Sequence, residues 1–236
     1  MLRSLQAIFL ALFLLPCCSE PGEQHSELGR IIGEDNLQPI TKLNAPHTIV
    51  YAIGAMQKGC TVNHLGSGRV LTAGHCVSPG SFQDVPIEAT CDSEEFDIYW
   101  GYLFGAKPYL KSKCKKILVY EYHAQRDYAI LQVEPFPQTS IALSLQSPQK
   151  GDKISIFSHP LRSPLLWSNY CPFAGFFLDF PEFIKYSCDT LPGSSGAGVF
   201  DQDFKLLAIH SFFDEESQLN GGMPIANIPL DEFLSD

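Results

Sequence analysis

The chain has 236 residues, which is enough for a two-lobed fold with substantial cores but too short for two unrelated large domains. It contains 18 glycines and 17 prolines, and charged residues make up 18% of it. An average globular protein has about 25% charged residues, so this composition favours a loop-rich β-protein over a helical bundle. The formal net charge of -10 repels nucleic-acid phosphates and anionic lipid surfaces, so we expect neither as a partner.

The beginning of the chain has the pattern of a secretory signal peptide. Arg3 gives a positive start, an apolar run covers 7–15, and a possible cleavage region follows it. The apolar run is too short to cross a bilayer as a stable helix. We therefore expect a signal peptide at 1–19, a leader or short propeptide at 20–30, and a secreted or periplasmic protein with no stable membrane span.

Lipid anchoring is a less favoured alternative for the same region. Either Cys17 or Cys18 could carry the lipid. The residue before the lipidated cysteine would then be Pro16 or Cys17, whereas bacterial lipoproteins prefer a small residue at that position.

Short apolar stretches separated by turn residues follow, which is typical of strands. We predict strands at 47–55, 69–72, 117–120, 128–133, 153–157, 198–200 and 206–210. A short helix is expected only at 230–234, because no longer stretch has helical periodicity. Prolines and polar residues interrupt the strands at 134–139, so the pattern predicts an all-β protein with two small antiparallel barrels, the first over 31–138 and the second over 139–236.

Six cysteines remain after the predicted signal peptide, an even number in a chain expected to reach an oxidising compartment. Six cysteines allow fifteen pairings. Proximity in the sequence favours three consecutive pairs, namely Cys60 with Cys76, Cys91 with Cys114, and Cys171 with Cys188. No pair has the short spacing that zinc favours, so we expect no metal and no other cofactor.

Three segments carry residues with possible chemistry. A strand leads into the turn Thr-Ala-Gly-His-Cys around His75, Asp127 directly precedes an apolar strand, and a Gly-Ser-Ser-Gly turn contains Ser195. Each segment alone has an ordinary explanation, since aspartate and serine are common where strands and turns begin. The combination, in the order His, Asp, Ser along the chain, is far more specific.

On these motifs the chain resembles the chymotrypsin-like serine peptidases. The resemblance implies two six-stranded antiparallel barrels with the active site between them, and it supports the pairing of Cys60 with Cys76. It also implies a catalytic triad with Ser195 as nucleophile, His75 as general base and acid, and Asp127 as the group that orients the histidine. We therefore expect a monomeric enzyme that acts on polypeptide substrates.

The resemblance also assigns the groups around the nucleophile. Ser195 is preferred to Ser194 because the nucleophile directly precedes the glycine of the turn, here Gly196. The N–H groups of Gly193 and Ser195 are then expected to form the oxyanion hole.

Within this superfamily, the segments 31–36 and 208–210 are similar to those of bacterial V8-like glutamyl endopeptidases. That branch implies that Thr190 and His210 bind the carboxylate of a glutamate before the scissile bond. Trypsin-like relatives instead use an acid at the position of Asp189 to attract lysine or arginine. The sequence therefore predicts a pocket containing these three residues, with glutamate favoured and basic residues as the alternative.

Two other functions fit the sequence less well. An α/β-hydrolase esterase requires Gly-x-Ser-x-Gly, which Ala197 breaks. A catalytically inactive protease fold kept for binding is the second alternative, and the intact set of three residues argues against it.

Overall fold

In a computed structural model of the protein, residues 30–78, 83–85, 91, 93–144 and 146–234 are described. The predicted signal peptide, its cysteines, and all of the predicted leader except Arg30 lie outside them. Within the described residues, no helix combines the length and the apolar character needed to cross a membrane.

Short strands dominate the described chain. In chain order they are β1 (Gln38–Pro39), β2 (Ile53–Met56), β3 (Thr61–Gly66), β4 (Arg69–Thr72), β5 (Gln83–Val85), β6 (Ile98–Trp100), β7 (Leu110–His123), β8 (Arg126–Glu134), β9 (Lys153–Ser158), β10 (Leu166–Phe176), β11 (Ile184–Tyr186), β12 (Gly198–Phe200), β13 (Leu206–Asp214) and β14 (Leu219–Pro224). Short 3-10 turns cover Thr48–Tyr51, Gly74–Cys76, Glu94–Phe96, Pro160–Arg162 and Ile225–Asn227, and one α-helical turn, α1, covers Asp231–Leu234.

The strands form two closed antiparallel barrels of six strands each. In the first, the order is β7-β6-β2-β3-β4-β8, and β8 pairs with β7 to close the ring. In the second, the order is β10-β11-β14-β13-β12-β9, and β9 pairs with β10. Closure leaves few unpaired strand edges, which is how antiparallel β-proteins avoid edge-to-edge association. The predicted all-β fold with two six-stranded barrels is confirmed.

Two short strands attach to the outside of these rings. Strand β5 pairs with β7 of the first barrel, and β1 pairs with β10 of the second. The range predicted for the first barrel is 31–138. Residues 38 and 39 of β1 belong to that range, but they lie against the second barrel.

The predicted strand at 47–55 is only partly a strand. Residues Thr48–Tyr51 form a 3-10 turn, because the Nδ1 atom of His47 accepts the N–H of Ile49 at 3.2 Å and caps the turn. The strand β2 begins after it, at Ile53.

Strand β7 shows how the sequence pattern selects the inner face of a barrel. Lys111, Lys113 and Lys115 are exposed, whereas Ser112 and Cys114 between them are buried. Successive side chains of a strand point to opposite faces, so this alternation places the lysines outside.

Each barrel has its own apolar core, and a third cluster joins the two barrels. In the joining cluster, Leu71 and Tyr128 of the first barrel pack with Phe157, Phe200 and Ile209 of the second, and all five are 0% exposed. This contact holds the ends of β4 and β8 close to the second barrel.

Three disulfides lie within the described residues: Cys60–Cys76, Cys91–Cys114 and Cys171–Cys188. These are the consecutive pairs predicted from the sequence. The first two belong to the first barrel and the third to the second barrel.

Replacing both cysteines of Cys60–Cys76 by alanine should lower the free energy of unfolding by about 3 kcal/mol, because the bond closes a loop of 16 residues. Cys171–Cys188 is a matched control, since its separation is 17 residues and the loop-closure entropy is nearly the same. Urea unfolding of the two double variants measures both losses. Losses that differ by more than about twofold would contradict the loop-closure explanation.

Candidate functional site

His75 lies in a short turn that leaves β4. The turn is Gly74–Cys76, and the disulfide from Cys76 to Cys60 ties it to the start of β3. Position 74 requires glycine, because a Cβ atom there would lie 2.0 Å from the carbonyl oxygen of Glu121. The turn therefore packs closely against β7 and places the His75 ring beside β8.

Asp127 is the second residue of β8 and is only 5% exposed. One carboxylate oxygen, Oδ1, accepts the backbone N–H of His75 at 3.0 Å, and the other, Oδ2, lies 2.9 Å from its Nδ1 atom. These two contacts fix both the histidine backbone and the ring. A carboxylate at Nδ1 favours the tautomer in which Nδ1 carries the proton, so Nε2 on the opposite side of the ring is an acceptor.

The environment of His75 shifts its pKa in opposing directions. Burial lowers the pKa, whereas the charge of Asp127 and its hydrogen bond raise it, and the charge of Lys58 lowers it slightly. The net result is a pKa above the ordinary value of about 6.5. Asp127 therefore stabilises the imidazolium form of His75.

Ser195 and Ser194 have different surroundings. The Oγ atom of Ser195 is buried and has no hydrogen-bond partner within the described part of the chain, and the same holds for Nε2 of His75. The hydroxyl of Ser194, in contrast, accepts the N–H of Leu191 at 3.2 Å and donates to Ser158 at 3.1 Å. Ser194 thus stabilises the loop, while the Ser195 hydroxyl is available for other contacts.

The loop that carries Ser195, residues 191–197, is called the serine loop below. Each carbonyl oxygen from Pro192 to Gly196 accepts a hydrogen bond. In chain order the donors are the N–H of Leu161 at 2.7 Å, the hydroxyl of Thr61 at 3.0 Å, the N–H of Ala197 at 2.8 Å, the N–H of Thr61 at 2.9 Å and the side-chain amide of Asn63 at 2.7 Å. Hydrogen bonds to all of these carbonyl oxygens therefore fix the backbone of the loop.

The N–H groups of the serine loop are used differently. Those of Ser194 and Gly196 donate to Leu191 and His210, but those of Gly193 and Ser195 donate to no acceptor among the described residues. Gly193 has a φ of 98°, a conformation that favours glycine. The arrangement leaves two neighbouring donors that can stabilise a developing oxyanion.

Asp189, a predicted pocket residue, does not have a free carboxylate. It is 1% exposed, and its Oδ1 and Oδ2 atoms accept the N–H groups of Ile32 and Asn36, both at 2.7 Å. The structure places this acid against the amino-terminal segment, where it anchors the backbone.

Thr190 is buried next to the same segment. Its hydroxyl accepts the N–H of Arg30 and donates to Oδ1 of Asn220, both at 3.0 Å, while its own N–H donates to the carbonyl of Arg30 at 3.0 Å. The guanidinium of Arg30 pairs with Glu215 at 3.2 Å. Arg30, the last residue of the predicted leader, thus forms hydrogen bonds with Thr190, a residue of the predicted specificity pocket.

His210 is fully buried on β13. Its Nδ1 atom lies 2.8 Å from the hydroxyl of Tyr186, and its Nε2 atom has no partner among the residues described. Burial, together with the charge of His75, lowers the pKa of His210 to about 3, so the ring is neutral. The hydroxyl of Tyr186 also lies 3.1 Å from the carbonyl oxygen of Gly221, which is a second acceptor within reach of its one proton.

Sequence reasoning missed several polar residues of the site. Thr61 and Asn63 contact the serine loop from the first barrel, and Tyr186 contacts His210. No local motif marks them. The one available signal is the adjacency of Thr61 to Cys60, which the predicted disulfide places near the histidine turn.

One group of potential metal ligands lies in the site. The ligand atoms of Cys60, His75 and Cys76 are within 4.8 Å of one another. The two sulfurs are joined in a disulfide, and the metal-binding form of cysteine is the thiolate. This group therefore does not form a metal centre.

Comparison with known proteins identifies the family. A sequence model described as trypsin-like peptidase domain matches residues 58–209, a range that includes His75, Asp127 and Ser195. The chain belongs to the trypsin-like peptidase family. The predicted resemblance to chymotrypsin-like serine peptidases is confirmed at the level of the family.

Individual relatives share less than a third of their aligned residues with this chain. Exfoliative toxin A of Staphylococcus aureus is 28% identical over 134 residues, which cover 51% of this chain and 47% of the toxin. The chain thus spans about half the length of this curated relative.

Two solved structures show the same fold at low identity. A Glu endopeptidase, solved in complex with MPD, has a TM-score of 0.68 and 16% identity over 84% of this chain and 94% of its own. A serine endoprotease from Yersinia pestis has a TM-score of 0.55 and 13% identity over 80% of this chain and 64% of its own.

Asp127→Asn should lower the pKa of His75, because the variant loses the charge that raises the pKa while the burial that lowers it remains. NMR titration of the histidine ring protons measures this shift. In the unmodified protein the midpoint for His75 should lie above about 6.5, and His210 should stay neutral throughout pH 5–8. An unchanged His75 midpoint in the variant would contradict the proposed role of the Asp127 charge.

Proposed function

We propose that this protein is a secreted serine endopeptidase with His75, Asp127 and Ser195 as its catalytic triad. The observation that carries the proposal is the His75–Asp127 pair at the junction of the barrels, together with a serine hydroxyl and two N–H groups that have no partner among the described residues. Each of these groups is required for acyl transfer through a serine ester.

The reaction follows from the tautomer that Asp127 favours. The Oγ atom of Ser195 bonds to the carbonyl carbon of the scissile peptide while its proton passes to Nε2 of His75, and the π electrons of the carbonyl move to its oxygen. The N–H groups of Gly193 and Ser195 bind that oxyanion. As it collapses, the C–N bond breaks, Nε2 gives its proton to the departing amine, and an acyl-enzyme forms.

Water releases the acyl group by the same steps. It gives a proton to His75 as its oxygen bonds to the acyl carbon, and the ester bond to Ser195 then breaks. His75 returns the proton to the serine oxygen. Nε2 of His75 and Oγ of Ser195 have no hydrogen-bond partner among the described residues, so the hydrogen bond between them that starts the cycle is expected to form when substrate binds.

Ser195→Ala should lower kcat by about a millionfold, since the nucleophile is lost. Ser194→Ala is the matched control, because it removes a neighbouring buried hydroxyl that contacts Leu191 and Ser158, and it should keep most of the activity. Hydrolysis of a peptide mixture measures both variants, and circular dichroism checks that both are folded. Equal losses in two folded variants would rule out Ser195 as the nucleophile.

We propose that the enzyme cleaves after glutamate, and that Thr190 and His210 bind the glutamate carboxylate. Both residues are 0% exposed, and Nε2 of His210 lacks a partner within the residues described. A carboxylate that leaves water needs such donors to replace its hydration. The similarity to a Glu endopeptidase is consistent with this choice.

The alternative preference for lysine or arginine is disfavoured by the contacts of Asp189. Both of its carboxylate oxygens already accept backbone N–H groups, from Ile32 and Asn36. Turning the acid towards a basic substrate would leave these two donors without their acceptor, at a cost of about 1–3 kcal/mol each if they stayed buried.

His210 can donate to a carboxylate in only one of its two neutral tautomers. Tyr186 has a single hydroxyl proton, and Nδ1 of His210 and the carbonyl of Gly221 are both within its reach. When Tyr186 donates to Gly221, Nδ1 carries the histidine proton and Nε2 can only accept. When Tyr186 donates to Nδ1, Nε2 carries the proton and can donate to glutamate.

Thr190 becomes available to substrate if the chain is cut after Arg30. The Arg30 backbone now occupies both the hydroxyl and the N–H of Thr190. Cleavage would remove that residue and leave the ammonium group of Ile31 near the pocket, where its charge favours a carboxylate.

His210→Ala should lower kcat/KM about tenfold to a hundredfold for a peptide with glutamate before the scissile bond, and less than about threefold for the glutamine peptide, because a hydrogen bond to a charge is the stronger one. His64→Ala is the control, since it removes another buried histidine, which lies on β3 of the first barrel and contacts the carbonyl of Thr139. It should leave the ratio of glutamate to glutamine cleavage unchanged. Preferred cleavage after lysine by the unmodified enzyme would overturn the glutamate assignment.

An inactive binding protein with the same fold is the second candidate function. The N–H groups of Gly193 and Ser195, which have no acceptor in the part of the chain that is described, favour the enzyme, because a binding protein has no chemical need to keep these donors unpaired. A fluorophosphonate probe distinguishes the two, since it forms a covalent adduct only with an activated serine.

A further inference from the structure

Thr61, at the start of β3, links the first barrel to the serine loop of the second. Its N–H donates to the carbonyl oxygen of Ser195 at 2.9 Å, and its hydroxyl contacts the carbonyl oxygen of Gly193 at 3.0 Å. The hydroxyl also accepts the N–H of His159 at 2.9 Å. Thr61 is 0% exposed, so these contacts are made without competition from water.

The direction of the Thr61 hydroxyl proton is unambiguous. The N–H of His159 can only donate, so the threonine oxygen must be its acceptor. The single hydroxyl proton then points to the carbonyl oxygen of Gly193. The side chain of Thr61 therefore restrains the peptide group between Gly193 and Ser194. Gly193 has no side chain that could restrain it.

Peptide planarity relates the carbonyl contacts of the serine loop to the oxyanion donors. The N–H of Gly193 shares a plane with the Pro192 carbonyl, the N–H of Ser195 shares one with the Ser194 carbonyl, and the plane that Thr61 binds through the Gly193 carbonyl lies between these two. In a trans peptide, the C=O and N–H point in opposite directions. The contact of the Pro192 carbonyl with the N–H of Leu161 thus aims the N–H of Gly193 away from Leu161. The Thr61 hydroxyl fixes the next peptide plane, between Gly193 and Ser194, so both planes that meet at Gly193 are held.

Glycine makes this restraint necessary. Gly193 has no Cβ atom, and its φ of 98° is only one of several conformations open to it. Without a bond to its carbonyl, the peptide plane between Gly193 and Ser194 could rotate. This plane joins the two planes that carry the N–H groups of Gly193 and Ser195, so its rotation would change the angle between the two oxyanion donors.

We propose that Thr61 is a positioning residue for the oxyanion hole: its hydroxyl holds the Gly193 carbonyl, and its N–H holds the Ser195 carbonyl. Thr61 acts through the serine loop and does not itself touch the substrate. The inference rests on the proposed serine peptidase function, since it concerns the stabilisation of the oxyanion in that reaction.

The test compares Thr61→Val with Thr61→Ser. Valine keeps the shape and β-branching of threonine but lacks the hydroxyl, whereas serine keeps the hydroxyl. Loss of one oxyanion donor costs about 100-fold to 1000-fold in kcat, so a poorly aimed donor in Thr61→Val should cost about tenfold to a hundredfold, with KM changed less than about threefold. Thr61→Ser should restore most of kcat.

A second readout separates positioning from a general loss of stability. A peptide aldehyde forms an oxyanion-like adduct with the nucleophile, whereas the peptide alcohol of the same sequence does not. Thr61→Val should weaken aldehyde binding by the same factor as kcat and leave alcohol binding unchanged. Ser168→Ala is the structural control, because it removes a buried hydroxyl that accepts the N–H of Ile156 within the second barrel. It should lower the melting temperature without changing the ratio of aldehyde to alcohol affinity.

The outcomes distinguish this inference from the proposed function. If the unmodified protein neither cleaves peptides nor reacts with a fluorophosphonate probe, the serine peptidase function is wrong. Crystal structures of the unmodified protein and Thr61→Val then still test the positioning role. Identical orientations of the two peptide groups at Gly193, or an unchanged kcat and aldehyde-to-alcohol ratio in an active Thr61→Val protein, would overturn the role of Thr61.

Discussion

The planar peptide group is the constraint on which the site depends, because a carbonyl fixed on one side of a peptide plane fixes the N–H on the other. In the serine loop, all carbonyls from Pro192 to Gly196 are bound, while the N–H groups of Gly193 and Ser195 are left without acceptors among the described residues. The first barrel supplies three of these bonds, from Thr61 and Asn63. The restraints on the carbonyls of Gly193, Ser195 and Gly196 therefore exist only when the two barrels are packed together, whereas Leu161 and Ala197 hold the carbonyls of Pro192 and Ser194 from the second barrel itself.

Local sequence patterns predicted the parts of the fold that depend on local residues. The bounds of β4 and β12 agree with the predicted strands, because each is a short apolar run between turn residues. Strand β10 was missed, since Ser168 and Asn169 interrupt its apolar pattern. Asn169 has a φ of 57°, and the pairing of β10 with β9 shifts register between Trp167 and Tyr170. Such an irregularity has no period-2 signature in the sequence.

For the site, the motifs identified His75 and Asp127, which the structure brings within 2.9 Å, but not the residues that hold the serine loop. Thr61 contacts Gly193 across 132 residues of chain, and a contact of that range leaves no mark in a single sequence. The sequence also left the direction of the Asp189 carboxylate open. Its position before Ser195 is that of the pocket acid in trypsin-like relatives, whereas the path of residues 32–36 brings two backbone N–H groups to its carboxylate.

The three described disulfides each close a loop inside one barrel, and none of them bridges the two. Among the described residues, the covalent link between the half of the site with His75 and Asp127 and the half with Ser195 therefore runs only through the connection from β8 to β9. A single nick there would produce two chains, each with its own intact cross-links. Their association would depend on the apolar cluster around Tyr128 and Phe157 and on the amino-terminal segment, which pairs with β10 and contacts Asp189. The two fragments would therefore complement each other. Because His75 and Asp127 lie on one fragment and Ser195 on the other, the site would be restored only when the fragments reassemble.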